Sequence, residues 1–261
     1  MNYLKLYAQY FKTNVLRWVE YKTDFLIGIA AMFFTNMVTI VFISVIFMHI
    51  HEINGWTFPQ LLFLVGLSQL AFGFWHVFLC GLWGVEEYIR WGDFDRFLIR
   101  PANTLFQVIA NWVDDDGIGN LLGGAVVLTI ASSMLGLSWT AFNVLMLALS
   151  FVGGVLILLA LTLIPATIAF WTTRSQSLMD IILHFTRFIE YPIDIYASPI
   201  VLFLTFILPF AFINYYPAQI FLKTGMHMQL AYLTPIVGVV CFAIAYSFWK
   251  IGIKNYSSVG H

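Results

Sequence analysis

Asp180, His184, Arg187, Tyr191 and Asp194 recur at spacings of 4, 3, 4 and 3 residues. On an α-helix, residues so spaced share one face. With Glu190 beside them they combine carboxylates, a titratable imidazole and a fixed cation. Such a stripe could relay protons or present polar groups to a transported solute. Arg187 can pair with Glu190 at i+3, and with Asp194 at i+7 only through an intervening group. A second concentration runs from Glu86 to Pro101, where Glu86, Glu87, Arg90, Asp93, Asp95, Arg96 and Arg100 interleave with Trp91, Phe94, Phe97, Leu98 and Ile99. A short helix of this composition offers apolar knobs and charge pairs to a soluble partner; the alternative is an ordinary solvated loop. Asp114, Asp115 and Asp116 stand where a helix would begin, a place the helix dipole favours for acids. A cation site is the other reading of these three. His49, His51 and Glu52 are too few for a metal centre, and i, i+2 residues on a helix point apart.

Other chemistry is excluded by missing motifs. None of the six lysines follows a glycine, so no phosphate-binding P-loop is present. The His51-Glu52 pair is followed by Ile53, Asn54 and Gly55, which is not a zinc-protease motif. Gly66-Leu67-Ser68-Gln69 lacks the closing glycine of a nucleophile elbow. Cys80 and Cys241 lie in apolar stretches and read as small buried hydrophobes. A net charge of −1 gives no bulk attraction to nucleic acid.

The elements that must position these residues are membrane spans. Of 261 residues, 61% are hydrophobic and 10% charged, whereas soluble domains are roughly half apolar and a quarter charged. At about 20 residues per crossing the chain has room for six spans and little else. The spans are predicted at Phe25–Ile50, Phe58–Leu82, Gly117–Leu137, Phe142–Trp171 and Leu230–Ile251, with a fifth between the last two. Residues 1–22 carry Tyr3, Leu4, Tyr7, Tyr10, Phe11, Val15 and Trp18 at helical spacing, with Lys5, Gln9, Lys12, Thr13 and Glu20 mostly on the other side. That is the pattern of an amphipathic helix lying in the membrane interface. Gly123-Gly124 and Gly153-Gly154 read as close helix contacts.

Residues 172–228 admit two layouts. In one, the residues up to Asp194 are cytoplasmic and the fifth span is Ile195–Tyr216. In the other, Ser177–Tyr196 is the span, and Pro199–Leu222 dips in and returns. The apolar run Ile200–Ile213 is short and holds Pro209, which favours the re-entrant hairpin. Under the positive-inside rule, Lys5, Lys12, Arg17, Lys22, Arg90, Arg96, Arg100, Arg174, Lys250 and Lys254 face the cytoplasm and Lys223 faces out. Both termini are then cytoplasmic.

Gly92, Asp95, Leu98, Arg100 and Pro101 form G-x-x-D-x-x-L-x-R-P after the second span. Tyr191-Pro192-Ile193-Asp194-Ile195-Tyr196 and Leu208-Pro209-Phe210-Ala211-Phe212-Ile213-Asn214-Tyr215-Tyr216-Pro217-Ala218 follow. In length, span count and motif order the whole chain resembles the bacterial ABC-2 type permease subunits of ABC exporters, in the subgroup often encoded as permease pairs beside an ATPase. The resemblance implies an all-α polytopic membrane protein: one transmembrane domain over residues 1–261, with six transmembrane helices and an N-terminal interfacial helix at 1–22. It implies a coupling helix at 86–101 and a re-entrant hairpin at 199–222, which selects the second layout. It further implies a permease in the bacterial plasma membrane, partnered by an ABC ATPase dimer and a second permease, alike or different. ATP and Mg would be bound by the ATPase, with no cofactor in this chain. Coupling would map to Glu86, Glu87, Arg90, Asp93, Asp95, Arg96, Leu98 and Arg100. The stripe Asp180, His184, Arg187, Glu190, Tyr191 and Asp194 would face the transport path or the permease interface; its alternative is an amphipathic cytoplasmic helix.

The leading expectation is therefore a non-enzymatic half of an ATP-driven exporter. An ion-coupled carrier using Asp180, His184, Arg187 and Glu190 is the alternative, disfavoured by the lack of an internal repeat. A membrane-embedded transferase would need a convergent acid/base or metal cluster, and none is visible in the sequence.

Overall fold

The computed structural model describes residues 2–222 and 228–257. Its helices in chain order are α1 (Tyr3–Glu20), α2 (Lys22–Phe47), α3 (Phe58–Leu79), α4 (Val85–Arg90), α5 (Asp95–Leu98), α6 (Thr104–Asn111), α7 (Asp116–Met134), α8 (Ala141–Thr172), α9 (Gln176–Phe185), α10 (Ser198–Leu202), α11 (Tyr215–Leu222), α12 (Met228–Ala231) and α13 (Thr234–Asn255). Among the described residues, five helical stretches are long and apolar enough to cross a membrane: α2, α3 continued through a 3-10 turn into α4, α7, α8 and α13. The fold is an all-α, multi-pass membrane bundle. Helix α3 begins where Thr57 and Gln60 form a capping box, the Thr57 N–H donating to Gln60 Oε1 at 2.9 Å.

Glycines set the helix seams. A Cβ added at Gly66 would lie 2.8 Å from Leu128 N, at Gly73 2.7 Å from Leu121 N, and at Gly117 2.7 Å from Val77 N. These pairs make α3 and α7 antiparallel, backbone against backbone. Gly28 against Asp116 and Gly119 against Ile29 make α2 parallel to α7, while Gly153 against Thr234 and Gly252 against Thr167 make α8 parallel to α13. The chain therefore alternates direction as consecutive crossings must. Both glycine pairs singled out in the sequence sit at such seams: Gly124 faces Leu70 N and Gly153 faces Thr234 O. At Gly73 the obstacle is main chain and cannot rotate away. Gly73→Val is expected to pry α3 from α7 and reduce the monodisperse fraction in detergent at least twofold; an unchanged size-exclusion profile would refute this seam.

Residues 172–222 form no single straight span. Ser175 and Gln176 donate backbone N–H to Glu86 Oε2, at the α4 end of α3. Nineteen residues beyond Ser175, Asp194 Oδ2 accepts from Trp56 Nε1 at 2.9 Å, beside the start of α3. Asn54 Nδ2 donates to the Asp194 carbonyl at 3.1 Å, and the Tyr215 hydroxyl donates to Asp194 Oδ2 at 3.3 Å. The segment thus runs the full length of α3, about 33 Å at 1.5 Å per residue. It is not one helix: α9 ends at Phe185, a 3-10 turn covers Thr186–Glu190, and Tyr191 is extended at φ −116, ψ 158. Pro192 explains the break, since it lacks an N–H and excludes the helical conformation at Tyr191.

The next segment, Ser198–Ile207 and Phe210–Leu222, bends by 75° at a break that contains Pro209. It starts four residues after Asp194. It ends with the Phe221 ring tilted against Phe63, 5.4 Å away near the start of α3, and 6.0 Å from Trp139 in the α7–α8 connection. Both ends lie beside the first turns of α3. Between the bend and α11 the Asn214 amide donates to the carbonyls of Leu64 and Ile189.

The end bearing α4 and α5 also carries Arg17, Arg90, Arg96, Arg100, Arg174, Lys250 and Lys254. We call it the basic end. Helix α1 is held there: Arg17 Nη2 donates to Val113 O at 3.1 Å, its guanidinium lies 4.6 Å over the Trp112 ring, and Tyr3 packs edge-on to Phe106. Tyr256, after α13, packs edge-on to Phe94 at the same end. Lys223, expected on the opposite side, lies outside the described residues.

Candidate functional site: a polar intramembrane cavity and an outward-facing segment

Two features combine unusual polarity with position. The first is a cavity of about 360 Å³ between α2, α3, α7 and the crossing segment 176–190. Thr35, Asn36 and Thr39 of α2, Ser68 and Gln69 of α3, and Asn120 of α7 form one wall. Asp180, His184, Thr186, Arg187 and Glu190 form the other, with Phe72, Leu158 and Ile213 supplying apolar surface. Four of the six stripe residues therefore meet in one place. Tyr191 and Asp194 do not join them, because the helix breaks before they are reached; Asp194 is instead the fastening to Trp56 and Tyr215. The mixed lining can hold an amphipathic solute, and its ionisable groups lie at a depth where bare charge is expensive.

Behind the α2 wall a chain of polar contacts leads to the basic end. Asn36 Nδ2 donates to Asn120 Oδ1 at 2.7 Å, Asn120 Nδ2 lies 3.5 Å from His76 Nδ1, and His76 Nε2 is 3.7 Å from Asp114 Oδ2. Sequence reading did not pick out Asn36, His76 or Asn120. The available signal was a polar residue inside an apolar run, which the charged residues overshadowed. Asp114 meets the helix-start reading of the acidic triplet: its Oδ1 accepts the Asp116 N–H at 3.2 Å. No cluster of three metal-ligating side chains exists among the described residues.

The second feature is the segment 85–101. The single helix expected over 86–101 is instead two short helices, α4 and α5, joined at Gly92, whose φ of +75° is the left-handed conformation that glycine adopts freely. The turn sorts the side chains. Phe94 and Phe97 are fully buried, whereas Trp91 is 62% and Ile99 84% exposed. Glu87, Arg90, Asp93, Leu98 and Arg100 are exposed with them. Glu86 turns inward onto α9. Arg96 folds over the rings of Tyr88 and Phe97 at 5.1 and 4.8 Å. Arg100 donates to the Tyr10 hydroxyl at 3.0 Å, tying α1 to the segment. The expected coupling residues therefore divide into an outward set and an inward set. Trp91 and Ile99 join the outward one. A second cavity of about 530 Å³, lined by Trp83, Glu86, Tyr88, Trp112, Asp114 and Gln176 among others, opens behind α4. Trp83 lines both cavities. Helix α6, unforeseen in the sequence, roofs this region: the Asn111 amide donates to the Tyr88 hydroxyl at 2.9 Å.

Residues 33–260 match the family model described as ABC-2 family transporter protein. Comparison with curated proteins and with solved structures finds no match.

Proposed function

The chain belongs to the ABC-2 transporter family, and from that premise we propose that it is the membrane half of an ATP-driven exporter, driven by a separate ATPase dimer. Family membership makes it a permease of an ABC transporter, a multi-pass transport subunit. The observation that carries the finer reading is the outward face of 85–101. Trp91, Leu98 and Ile99 form apolar knobs flanked by Glu87, Arg90 and Asp93, the composition of a protein-docking surface. Its back is locked into the bundle by Phe94 and Phe97, so force applied to the face enters the helices rather than flexing a loop.

In this reading the basic end is cytoplasmic, both termini lie there, and the membrane is the bacterial plasma membrane. The cavity is half of the pathway, and a second permease, identical or related, closes its open side. ATP and Mg stay with the ATPase. The surplus of basic residues at one end supports the orientation, and the polar lining supports the pathway.

Native co-purification tests the assembly. The expected result is recovery of an ATPase subunit. Glu87→Lys combined with Asp93→Lys should release the ATPase at least tenfold while the permease stays folded. Retention of the ATPase by that variant overturns the docking face. ATP-independent flux driven by a proton gradient through the purified chain would instead establish the ion-coupled alternative.

A further inference from the structure

We propose that Glu86 is the positioning residue that transmits displacement of the ATPase-facing segment to the cavity wall; the inference rests on the exporter reading above. Helix α9 begins with backbone N–H groups that have no partner within the helix. Ser175, at its N-cap, makes no side-chain cap. The cap comes from 89 and 90 residues away: Glu86 Oε2 accepts the N–H of Ser175 at 2.5 Å and of Gln176 at 2.6 Å. The Glu86 side chain is only 12% exposed, and its other oxygen lies 3.8 Å from Arg90 Nη1.

Two features make this more than a local cap. A carboxylate accepting two backbone N–H groups at a helix N-terminus is a charge-assisted, dipole-favoured contact. The rest of α9 is held by apolar packing alone: Met179 is buried, and Ile182, Leu183 and Phe185 pack against the core and can slide where a hydrogen-bonded end cannot. The second feature is where α9 leads. Asp180 follows Gln176 by one helical turn, and Asp180, Leu183, His184, Arg187 and Glu190 all line the cavity. A shift of α4 must therefore carry the cavity wall with it or break both hydrogen bonds. Glu86 lies behind the docking surface and meets it through Arg90, so its part is played inside the permease.

The test separates a link from a cap. Glu86→Ala removes both functions. Adding Ser175→Asp gives α9 its own N-cap carboxylate without restoring the connection to α4. Each variant is assembled with the ATPase, and transport is measured per ATP hydrolysed, after the parent has been shown to bind and stimulate the ATPase. A parent that binds no ATPase refutes the exporter reading itself. For the double variant we expect folded protein at the parent's yield, ATP hydrolysis within about twofold, and transport per ATP reduced at least tenfold. Glu86→Gln, which keeps the shape and one acceptor, should show the same separation at about threefold and serves if the alanine variants do not fold. Recovery of parental transport per ATP in the double variant, or unchanged coupling in Glu86→Gln, overturns the proposal.

Discussion

Replacing Phe94 with alanine is expected to lower the permease's apparent Tm by roughly 10 °C and to abolish transport. Phe94 is fully buried at the centre of an aromatic cluster. Its ring centroid lies 4.9 Å from Phe170, 5.1 Å from Tyr256, 5.9 Å from Phe97 and 6.1 Å from Trp249, all near edge-on. Phe170 and Trp249 are themselves 5.1 Å apart. The cluster joins the α4–α5 turn to the ends of α8 and α13. Truncating a core Phe to Ala costs about 3–5 kcal/mol through lost transfer energy and the cavity left behind, and edge-to-face pairs add about 0.5–1.5 kcal/mol each. At about 2–4 °C per kcal/mol for a chain of this size, the loss amounts to several degrees or more. Because the site is local, limited proteolysis should first cleave near Trp91–Pro101. Phe94→Leu, which keeps most of the volume, should recover most of the loss. A melting temperature within 1 °C of the parent for Phe94→Ala would show that the turn is not anchored through this ring.

The contrast between the straight spans and the crossing segment shows what can be read in sequence. A helix in lipid must satisfy its backbone within itself, so long apolar runs leave little freedom. Helices α2, α3, α7, α8 and α13 accordingly fall within four residues of their expected limits. Segment 176–196 is under a weaker constraint, because it packs on protein through Met179, Ile189 and Ile193 and lines a polar cavity, where neighbouring groups can satisfy its backbone. There the local break at Pro192 outweighs the regular spacing of Asp180 to Asp194. The sequence contained that proline, but the spacing was the louder signal. The orientation of Glu86 against Glu87 was not legible at all. Neighbours on a helix differ in direction by about 100°, and the partner that selects Glu86 is a backbone terminus far along the chain. The same holds for the sorting of 85–101: alternating acids, arginines and rings fit either a docking face or a core, and only the turn at Gly92 decides which ring goes where.

Arg187→Ala is expected to reduce transport at least tenfold, and removing a second residue should restore part of it. Arg187 is the one permanent cation among the described residues lining the cavity, on the same wall as two carboxyl-bearing side chains, Asp180 and Glu190. Arg187 and Glu190 sit three apart in the 3-10 turn Thr186–Glu190, where i and i+3 side chains eclipse. Both therefore present to the same side. Removing the cation leaves Glu190 and Asp180 without a counter-charge at membrane depth, where an isolated charge costs at least about 2.5–3.5 kcal/mol. The wall must then admit water, bind protons or collapse, and each changes what the cavity can hold. If the defect is the unbalanced charge rather than a lost ligand contact, Arg187→Ala with Glu190→Gln returns the balance and should transport at least threefold better than Arg187→Ala alone. Neighbouring groups that share one interaction are non-additive in this way. A double variant no better than the single one would mean that Arg187 acts by touching the solute directly, and the charge-balance account of the cavity would fail.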